Sequence, residues 1–391
     1  MKRMRVFAIL VVNLLTTIAV CQDQPSRLSE ERRKRLSISG RVESNKTNLY
    51  PVRETAGEIA SSVIRSTNRG GQARSLRLHF KFNAQALNNA GQNGSWQVVV
   101  STPDSDKTWK FESGSEADVD EFWSPQMPGT TVTVKVFSGI PNSVLKLVVD
   151  KTIEYLEPVQ EKSIVGDDDT IEILSATNPK YIEWGRSVAR LTFISDESEK
   201  PSTCTGFLIS SNVFITNEHC PRSENEKRLS IVEFDYDSEF APTKIFKIKS
   251  EILRNEDLDF AIYVLNRAVT DRGFLKLKDD DENLANENPL VVIQHPAGLP
   301  KRVASFRCQV KISSSAIEPQ SDFGHECDTQ GGSSGAPVQN SAGMVIGLHH
   351  FGFGDTANPA QCINQAVKMG AILKFIKPRR KQLYRTLTTS E

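Results

Sequence analysis

Apolar and polar residues alternate in four stretches of the first half of the chain. Leu76, Leu78, Phe80 and Phe82 are separated by Arg77, His79 and Lys81. Trp96, Val98 and Val100 repeat the pattern, as do Val132, Val134 and Val136, then Leu145, Leu147 and Val149. A period of two puts successive side chains on opposite faces of an extended backbone, so each stretch predicts a strand with one buried face. Turn residues such as Asn88-Asn89-Ala90-Gly91 and Pro128-Gly129 lie between them. This spacing predicts a small antiparallel β-sandwich over 74–157, folding as its own unit and dispensable for chemistry. Trp123, in Trp123-Ser124-Pro125, reads as a core anchor, with an exposed aromatic binding edge as the other reading.

The flanking segments lack such a period. Residues 22–73 are polar and read as a pro-segment or linker. They include the charge run Ser29-Glu30-Glu31-Arg32-Arg33-Lys34-Arg35. A solvated face is the plain reading of that run, and a propeptide cut after the basic cluster is the sharper one. Residues 158–180 are acidic and irregular around Gly166-Asp167-Asp168-Asp169 and read as a linker. A second set of short apolar runs fills 181–377. It includes Phe207-Leu208-Ile209, Val213-Phe214-Ile215, Phe260-Ala261-Ile262-Tyr263-Val264, Leu290-Val291-Val292-Ile293 and Met344-Val345-Ile346-Gly347. Helical spacing emerges only at about Ala366–Lys377. The fold class is therefore all-β with a C-terminal helix, followed by a solvated basic tail over 378–391.

Composition narrows the compartment and the partners. The 391 residues allow two or three domains. Forty-eight basic and 48 acidic residues cancel, so nothing global favours nucleic acid or a membrane surface as partner. Residues 1–21 read as a secretory signal peptide, with Lys2, Arg3 and Arg5 ahead of the apolar run Val6–Val20. The expectation is a secreted, extracellular protein with no membrane contact once the signal is removed. Asn45-Lys46-Thr47 and Asn93-Gly94-Ser95 are glycosylation acceptors in a eukaryotic secretory pathway.

Beyond Cys21 the cysteines are Cys204, Cys220, Cys308, Cys327 and Cys362, all in the second half. An oxidising compartment favours disulfides. A Cys204–Cys220 bridge would close the apolar run that ends at His219. Cys327 has two possible partners, Cys308 and Cys362. No Cys-x-x-Cys spacing is present, so no metal site and no cofactor are expected.

The candidate chemistry lies in three short motifs. Gly332-Ser333-Ser334-Gly335-Ala336-Pro337 sets a serine in a glycine-flanked turn where backbone N–H groups can converge on an oxyanion. A serine hydroxyl is a poor nucleophile without a base held by a third group. Thr216-Asn217-Glu218-His219-Cys220 supplies an imidazole, and Asp259-Phe260-Ala261-Ile262 a carboxylate leading into an apolar strand. Asp257 is a rival acid nearby. The order His219, Asp259, Ser334 is that of chymotrypsin.

With these motifs, residues from about 184 to 377 resemble the chymotrypsin-fold serine peptidases, in particular the secreted trypsin-like and glutamyl-endopeptidase-like branch. Cys204-Thr205-Gly206-Phe207-Leu208-Ile209, Gln294-His295-Pro296-Ala297-Gly298 and Gly347-Leu348-His349-His350 carry the likeness further. The resemblance implies two six-stranded β-barrels with the site in the cleft between them. It implies Ser334 as nucleophile, His219 as general base and then acid, Asp259 orienting His219, and the N–H groups of Gly332 and Ser334 as oxyanion hole. The 74–157 region is similar to accessory β-domains of such peptidases. One departure bears on activation. Trypsin-like zymogens carry an aspartate just before the nucleophile to pair with a new N-terminus, and Ser333 stands there.

The function expected is a secreted serine endopeptidase acting on polypeptides. Two pocket residues pull its specificity in opposite directions. Asp328, six residues before Ser334, has the offset of the acid that binds Lys or Arg side chains in trypsin-like enzymes, and gives a lean toward basic residues. His349 matches the histidine by which glutamyl-specific relatives bind an acidic side chain, and an acid beside it would repel that carboxylate. Asp328 has a structural alternative, bonded to loop amides. His295 reads as structural and His325 stands too isolated to assign. The other function class is a silent binding or adhesion protein on the same scaffold. Oligomeric state is open.

Overall fold

The computed structural model describes residues 37–38, 40–49, 57–67, 73–82, 96–112, 121–138, 147–156, 162–164, 167–239, 243–281, 283–312, 320–352 and 363–388. The signal segment, the basic cluster, Asn93 and Cys362 lie outside them. The amino-terminal half is a two-sheet sandwich. One sheet orders Gly40–Leu49, Leu147–Tyr155, Ser75–Phe82 and Glu121–Trp123, with Met127–Pro128 also paired to Ser75–Phe82. The other orders Gly57–Arg65, Thr131–Ser138, Trp96–Thr102 and Ser105–Glu112. Along Trp96–Thr102 and Thr131–Ser138 buried and half-buried residues alternate without a break, as the period of two requires. Leu76, Leu78, Phe80, Val98, Val100, Val134 and Val136 interdigitate in the core between the sheets.

The sandwich starts earlier than the alternation indicates. Gly40–Leu49 and Gly57–Arg65 fall in the polar 22–73 segment, yet each pairs along a central strand. Gly-Arg-Val-Glu-Ser-Asn-Lys-Thr-Asn-Leu carries too few apolar residues to show a buried face. Its partner's backbone supplies the pairing that its side chains do not advertise.

The carboxy-terminal half holds two β-sheets that curl into the two lobes of a chymotrypsin-like body. The first contains Val188–Ile194, Pro201–Leu208, Val213–Thr216, Ile231–Phe234, Lys244–Phe246, Ile248–Asn255 and Phe260–Leu265. The second contains Val291–Gln294, Arg302–Ala304, Val310–Ile312, Asp322–His325, Pro337–Gln339, Val345–Phe351 and Asn364–Lys368. Each sheet has eight strands where six are expected. Ser37–Ile38 joins the first and Ile171–Glu172 the second, while Lys244–Phe246 and Ile248–Asn255, separated by Lys247 alone, stand at opposite ends of the first sheet's strand order. Phe207, Ile215 and Phe260 of the first lobe meet Ile293, Val345 and Leu348 of the second in a shared core.

Two connecting segments are more ordered than their sequence suggests. Within the 158–180 linker, Lys162–Ser163 pairs with Thr329–Gln330 and Ile171–Glu172 with Val303 and Arg302, so the acidic stretch is laid along the second lobe. Strands of two residues are too short to leave a periodic signal. The helix begins at Met369, after a strand, and runs to Arg379. The basic tail, expected to be solvated, forms a further helix, Lys381–Thr388, whose Leu387 is buried against the shared core.

Sandwich and carboxy-terminal body are not separated by solvent. Trp123, Ile153 and Tyr155 of the sandwich pack with Ile194, Ile231 and Ile245 of the first lobe. Arg77 crosses the interface with Nη2 3.1 Å from both carboxylate oxygens of Glu233, and all three groups of the Arg77–Glu233–Arg190 cluster are buried. Trp123 is thus a core anchor, but of the core between domains.

Candidate active site

The backbone of Thr205 joins the elements of the site. Its N–H donates to the Ser334 carbonyl at 2.8 Å. Its hydroxyl donates to the Gly332 carbonyl at 2.8 Å and accepts from the His295 N–H at 3.0 Å. Its carbonyl accepts from the Thr216 hydroxyl at 2.7 Å. One residue of the first lobe therefore ties the serine turn, the Gln294–Gly298 loop and the start of the histidine loop. Thr205 carries no chemistry of its own, so its role is not legible from residue type.

The serine turn is built on two glycines. Gly335 has φ +86, and a Cβ there would lie 2.1 Å from the Thr205 carbonyl oxygen and 2.4 Å from Thr216 Oγ1. Gly332 has φ +96, and a Cβ would lie 2.7 Å from the His295 oxygen. Both positions demand the absence of a side chain. Ser333 is consumed inside the turn, its hydroxyl accepting from the Gln330 N–H at 3.1 Å. Ser334 is half-buried. Among the described residues, the N–H groups of Gly332 and Ser334 are not engaged by any protein acceptor. That is the state a pair of oxyanion donors needs.

His219 and Asp259 are brought together closely. His219 Nδ1 lies 3.0 and 2.9 Å from the two Asp259 carboxylate oxygens, and the His219 N–H donates to Oδ1 at 3.1 Å. Both side chains are 1 % exposed. Asp259 sits in a tight turn at φ +41, a conformation that Asp tolerates better than most residues. Asn217 Nδ2 fixes that turn by donating to the Asp259 carbonyl at 2.8 Å. Nδ1 thereby carries the proton toward the carboxylate, which leaves Nε2 as the basic nitrogen. Cys204 and Cys220 are bridged, fastening the histidine loop to the strand of Thr205, and Cys308 pairs with Cys327. Asp257 makes no such contact with His219.

A third group faces Asp259 that sequence reasoning missed. His350 Nδ1 lies 3.3 Å from Asp259 Oδ2, and its Nε2 lies 2.9 Å from Asp322 Oδ2. All three side chains are 1 % exposed. The Leu348-His349-His350 sequence hinted at it, since adjacent residues of a strand face opposite ways and only one could line a pocket.

The two pocket candidates are both engaged by the protein. Asp328 is buried, and its Oδ2 accepts the Asp169 N–H at 2.8 Å. His349 Nδ1 lies 3.1 Å from His325 Nε2, so the isolated His325 is a partner of His349. The His349 ring also bonds the Gln365 backbone. Burial, with His325 and His350 adding to it, holds the His349 imidazole well below its ordinary range. Burial and then His350 bring His325 down to about 3. Both rings are neutral at physiological pH. His295 is structural, its Nδ1 donating to the Leu299 carbonyl at 3.0 Å. Cys204, His219 and Cys220 form a group of metal-ligand type among the described residues, but disulfide sulfurs are not thiolate ligands.

Residues 204–348 match the family model of the trypsin-like peptidase domain, a span that holds His219, Asp259, Asp328 and Ser334. An uncharacterised protein, y4fB, of Sinorhizobium fredii is 26% identical over 215 residues, covering 50% of this chain and 32% of that protein. The secreted RxLR effector protein 73 of Plasmopara viticola is 26% identical over 263 residues, covering 59% and 64%. The chain thus spans about a third and just under two thirds of these curated relatives. Solved structures that resemble it include the active form of the Rv3671c protease of M. tuberculosis, at 16% identity and TM-score 0.39, covering 55% of this chain and 86% of that one. A glutamyl endopeptidase in complex with MPD matches at 19% identity and TM-score 0.41, covering 56% and 100%. An inactivated protease paralogue of the scabies mite matches at 16% and 0.42, covering 53% and 98%.

Proposed function

We propose that this chain, which carries a trypsin-like serine peptidase domain, is a secreted endopeptidase that cleaves polypeptides through an acyl-enzyme on Ser334. The observation that carries the reading is the doubly anchored His219–Asp259 pair. Side chain and main chain of the histidine hold one buried carboxylate, which fixes both tautomer and orientation. His219 Nε2 takes the Ser334 hydroxyl proton as Oγ attacks the scissile carbonyl, then passes it to the leaving amine. The N–H groups of Gly332 and Ser334 receive the oxyanion, and losing one such donor costs about 3 kcal/mol of transition-state stabilisation. Labelling of Ser334 by a fluorophosphonate tests the assignment, and an intact, folded protein that takes no label would refute it. Export is proposed from the amino-terminal signal pattern and the two bridges. Among the described residues no helix is long and apolar enough to cross a membrane.

For specificity, the proposal is cleavage after Lys or Arg with Asp328 at the base of the pocket. A neutral His349, its ring already committed to His325 and Gln365, offers little to an acidic side chain. Asp328→Asn keeps an acceptor for the Asp169 N–H while removing the charge. It is expected to lower kcat/KM on basic substrates by about 30-fold or more, the cost of leaving a cationic partner unpaired. Ser334 labelling should be spared. Cleavage after Glu that survives Asp328→Asn and is lost in His349→Ala would reverse the choice.

His350 is placed to position Asp259. Its ring adds a polar contact to the carboxylate that holds His219. Such a contact makes Asp259 a weaker partner for a charged imidazole. His350→Asn is expected to lower kcat by about tenfold through misalignment. A kcat within twofold of wild type in His350→Asn would mean that His350 serves packing alone.

A further inference from the structure

Two strand edges from different domains face each other across one cavity. Ser105–Glu112 ends the strand order of the second sandwich sheet, and Lys244–Phe246 ends that of the first lobe's sheet. Between them lies a cavity of about 480 Å³, a size typical of clefts that hold a ligand. Trp109, Lys110 and Phe111 line it from the sandwich, and Lys244, Ile245 and Phe246 from the first lobe. Successive side chains of a strand point to opposite faces. Three consecutive residues border one space when the edge of the strand, with its main-chain N–H and carbonyl groups, looks into that space. The cavity is therefore a slot between two backbones rather than a hollow between two faces.

The two edges are not equally available. On the first lobe, Arg267 Nη2 donates to the Ile245 carbonyl at 2.8 Å, and its guanidinium lies 4.2 Å from the centre of the Phe246 ring. On the sandwich, Trp109, Lys110 and Phe111 pair with Val100, Val99 and Val98 along one side, and no strand among the described residues pairs with the other. The slot is also cationic. Lys110, Lys244 and Arg267 line it against one acid, Asp271, which pairs with both Lys244 and Arg272. Burial lowers the Arg267 guanidinium below its ordinary range, an effect that a neighbouring carboxylate would offset.

We propose that this slot docks an extended acidic segment of a polypeptide substrate, paired to the Ser105–Glu112 edge with its carboxylates at Lys110 and Arg267. The word substrate rests on the peptidase reading; the slot does not. A chain added to a sheet edge is held by main-chain hydrogen bonds, while side-chain contacts set the choice of partner. Here the edge of Trp109–Phe111 supplies the pairing, the half-buried Trp109 ring an apolar contact, and the two cations the preference for acid. The lining contains none of His219, Asp259 and Ser334, so docking acts on KM and leaves kcat alone.

The test uses the full-length Ser334→Ala chain, so that nothing is cut, and a fluorescein-labelled peptide of four glutamates around one phenylalanine, read by anisotropy. The peptide is expected to bind, more weakly as salt rises, and about tenfold more weakly when lysines replace its glutamates. Lys110→Glu with Arg267→Glu should weaken it about tenfold. Arg267 packs on Phe246, so Lys110→Glu alone, at an exposed side chain, repeats the measurement without touching that packing. Methylating the alternate amides of one edge of the peptide should abolish binding, and methylating those of the other edge should not. In the wild type, a reporter substrate carrying the acidic stretch should have a KM about fivefold below that of the same reporter without it, at equal kcat. Lys110→Glu should shrink that difference. Equal binding of the acidic and basic peptides, or indifference to amide methylation on both edges, would overturn the proposal. Dimers of Ser334→Ala that Lys110→Glu dissociates would give the slot to a second copy of the chain instead. A wild type that takes the fluorophosphonate label but shows no KM difference sinks this proposal alone. One that binds the peptide yet takes no label sinks the peptidase reading, and with it the docked segment's identity as substrate.

Discussion

Ser334→Ala is expected to fold normally and to lose peptide hydrolysis by a factor on the order of 10⁴ to 10⁶ in kcat. The fold should survive because the turn is held through main-chain groups and glycines. The Ser334 carbonyl accepts from Thr205, the Ala336 N–H donates to the Ser333 carbonyl, and the Gly335 N–H donates to the His349 carbonyl. None of these uses the hydroxyl. The chemistry should fail because the only group removed is the proposed nucleophile. His219→Ala should cost about as much, and the double variant little more, since a nucleophile and its base act as one unit. Residual turnover of a reporter peptide within tenfold of wild type in Ser334→Ala would move the nucleophile elsewhere. Equal losses in the two single variants, without a further loss in the double, would mark a coupled pair.

What the sequence reveals and what it hides follows from how far each constraint reaches. The serine turn, the histidine loop and the aspartate turn are each fixed by a few contiguous residues, and their types are dictated by chemistry and by φ. They are legible for that reason. Thr205 and His350 are not, because their importance comes from what a distant segment places opposite them. The alternation Arg77, His79, Lys81 reads as the wet face of a strand with one buried face. The structure buries both Arg77 and His79: Arg77 meets Glu233 of the first lobe, and His79 lies against Asp150 and Trp123 of the sandwich. Periodicity shows that a strand has two unlike faces, but it does not say whether another domain lies against the polar one. The same blindness hides how the sandwich is joined to the rest of the chain. Its strands read as self-sufficient, yet Trp123, Ile153 and Tyr155 complete a core with three isoleucines of the peptidase body.

Glu233→Ala should therefore be the most destabilising single change at that junction, by about 3–5 kcal/mol. Glu233 accepts from Arg77 Nη2 at 3.1 Å, from Arg190 Nε at 3.0 Å and from the Thr243 hydroxyl at 2.8 Å. Desolvation alone would raise its carboxyl, but the charges of Arg190 and Arg77 prevail and hold it at about 2. Removing the carboxylate leaves two buried guanidinium groups without a counter-charge. Packing over Tyr236, whose ring lies 3.6 Å from Arg190, does not replace it. A loss of that size is a large part of the 5–15 kcal/mol that holds an ordinary domain together. The sign of the pH dependence follows from the lowered carboxyl. Its contribution is complete above the ordinary glutamate value near 4.3 and is lost as pH falls toward about 2. Wild type should lose stability across that interval by more than Glu233→Ala does. The effect should also reach the serine turn. Arg190 Nη1 donates to the Gly298 carbonyl at 2.8 Å, and in the same turn the Ala297 N–H donates to the Gly331 carbonyl. Fluorophosphonate labelling of Glu233→Ala should accordingly slow at temperatures where the variant is still folded. Replacing Arg77, Arg190 and Glu233 together by apolar residues of similar size should recover most of the stability, because the penalty lies in the orphaned charges rather than in the lost pair. Denaturant midpoints for the single and triple variants decide the matter. A Glu233→Ala loss below about 1 kcal/mol, or a triple variant no better than the single, would mean that the junction does not depend on this charge cluster.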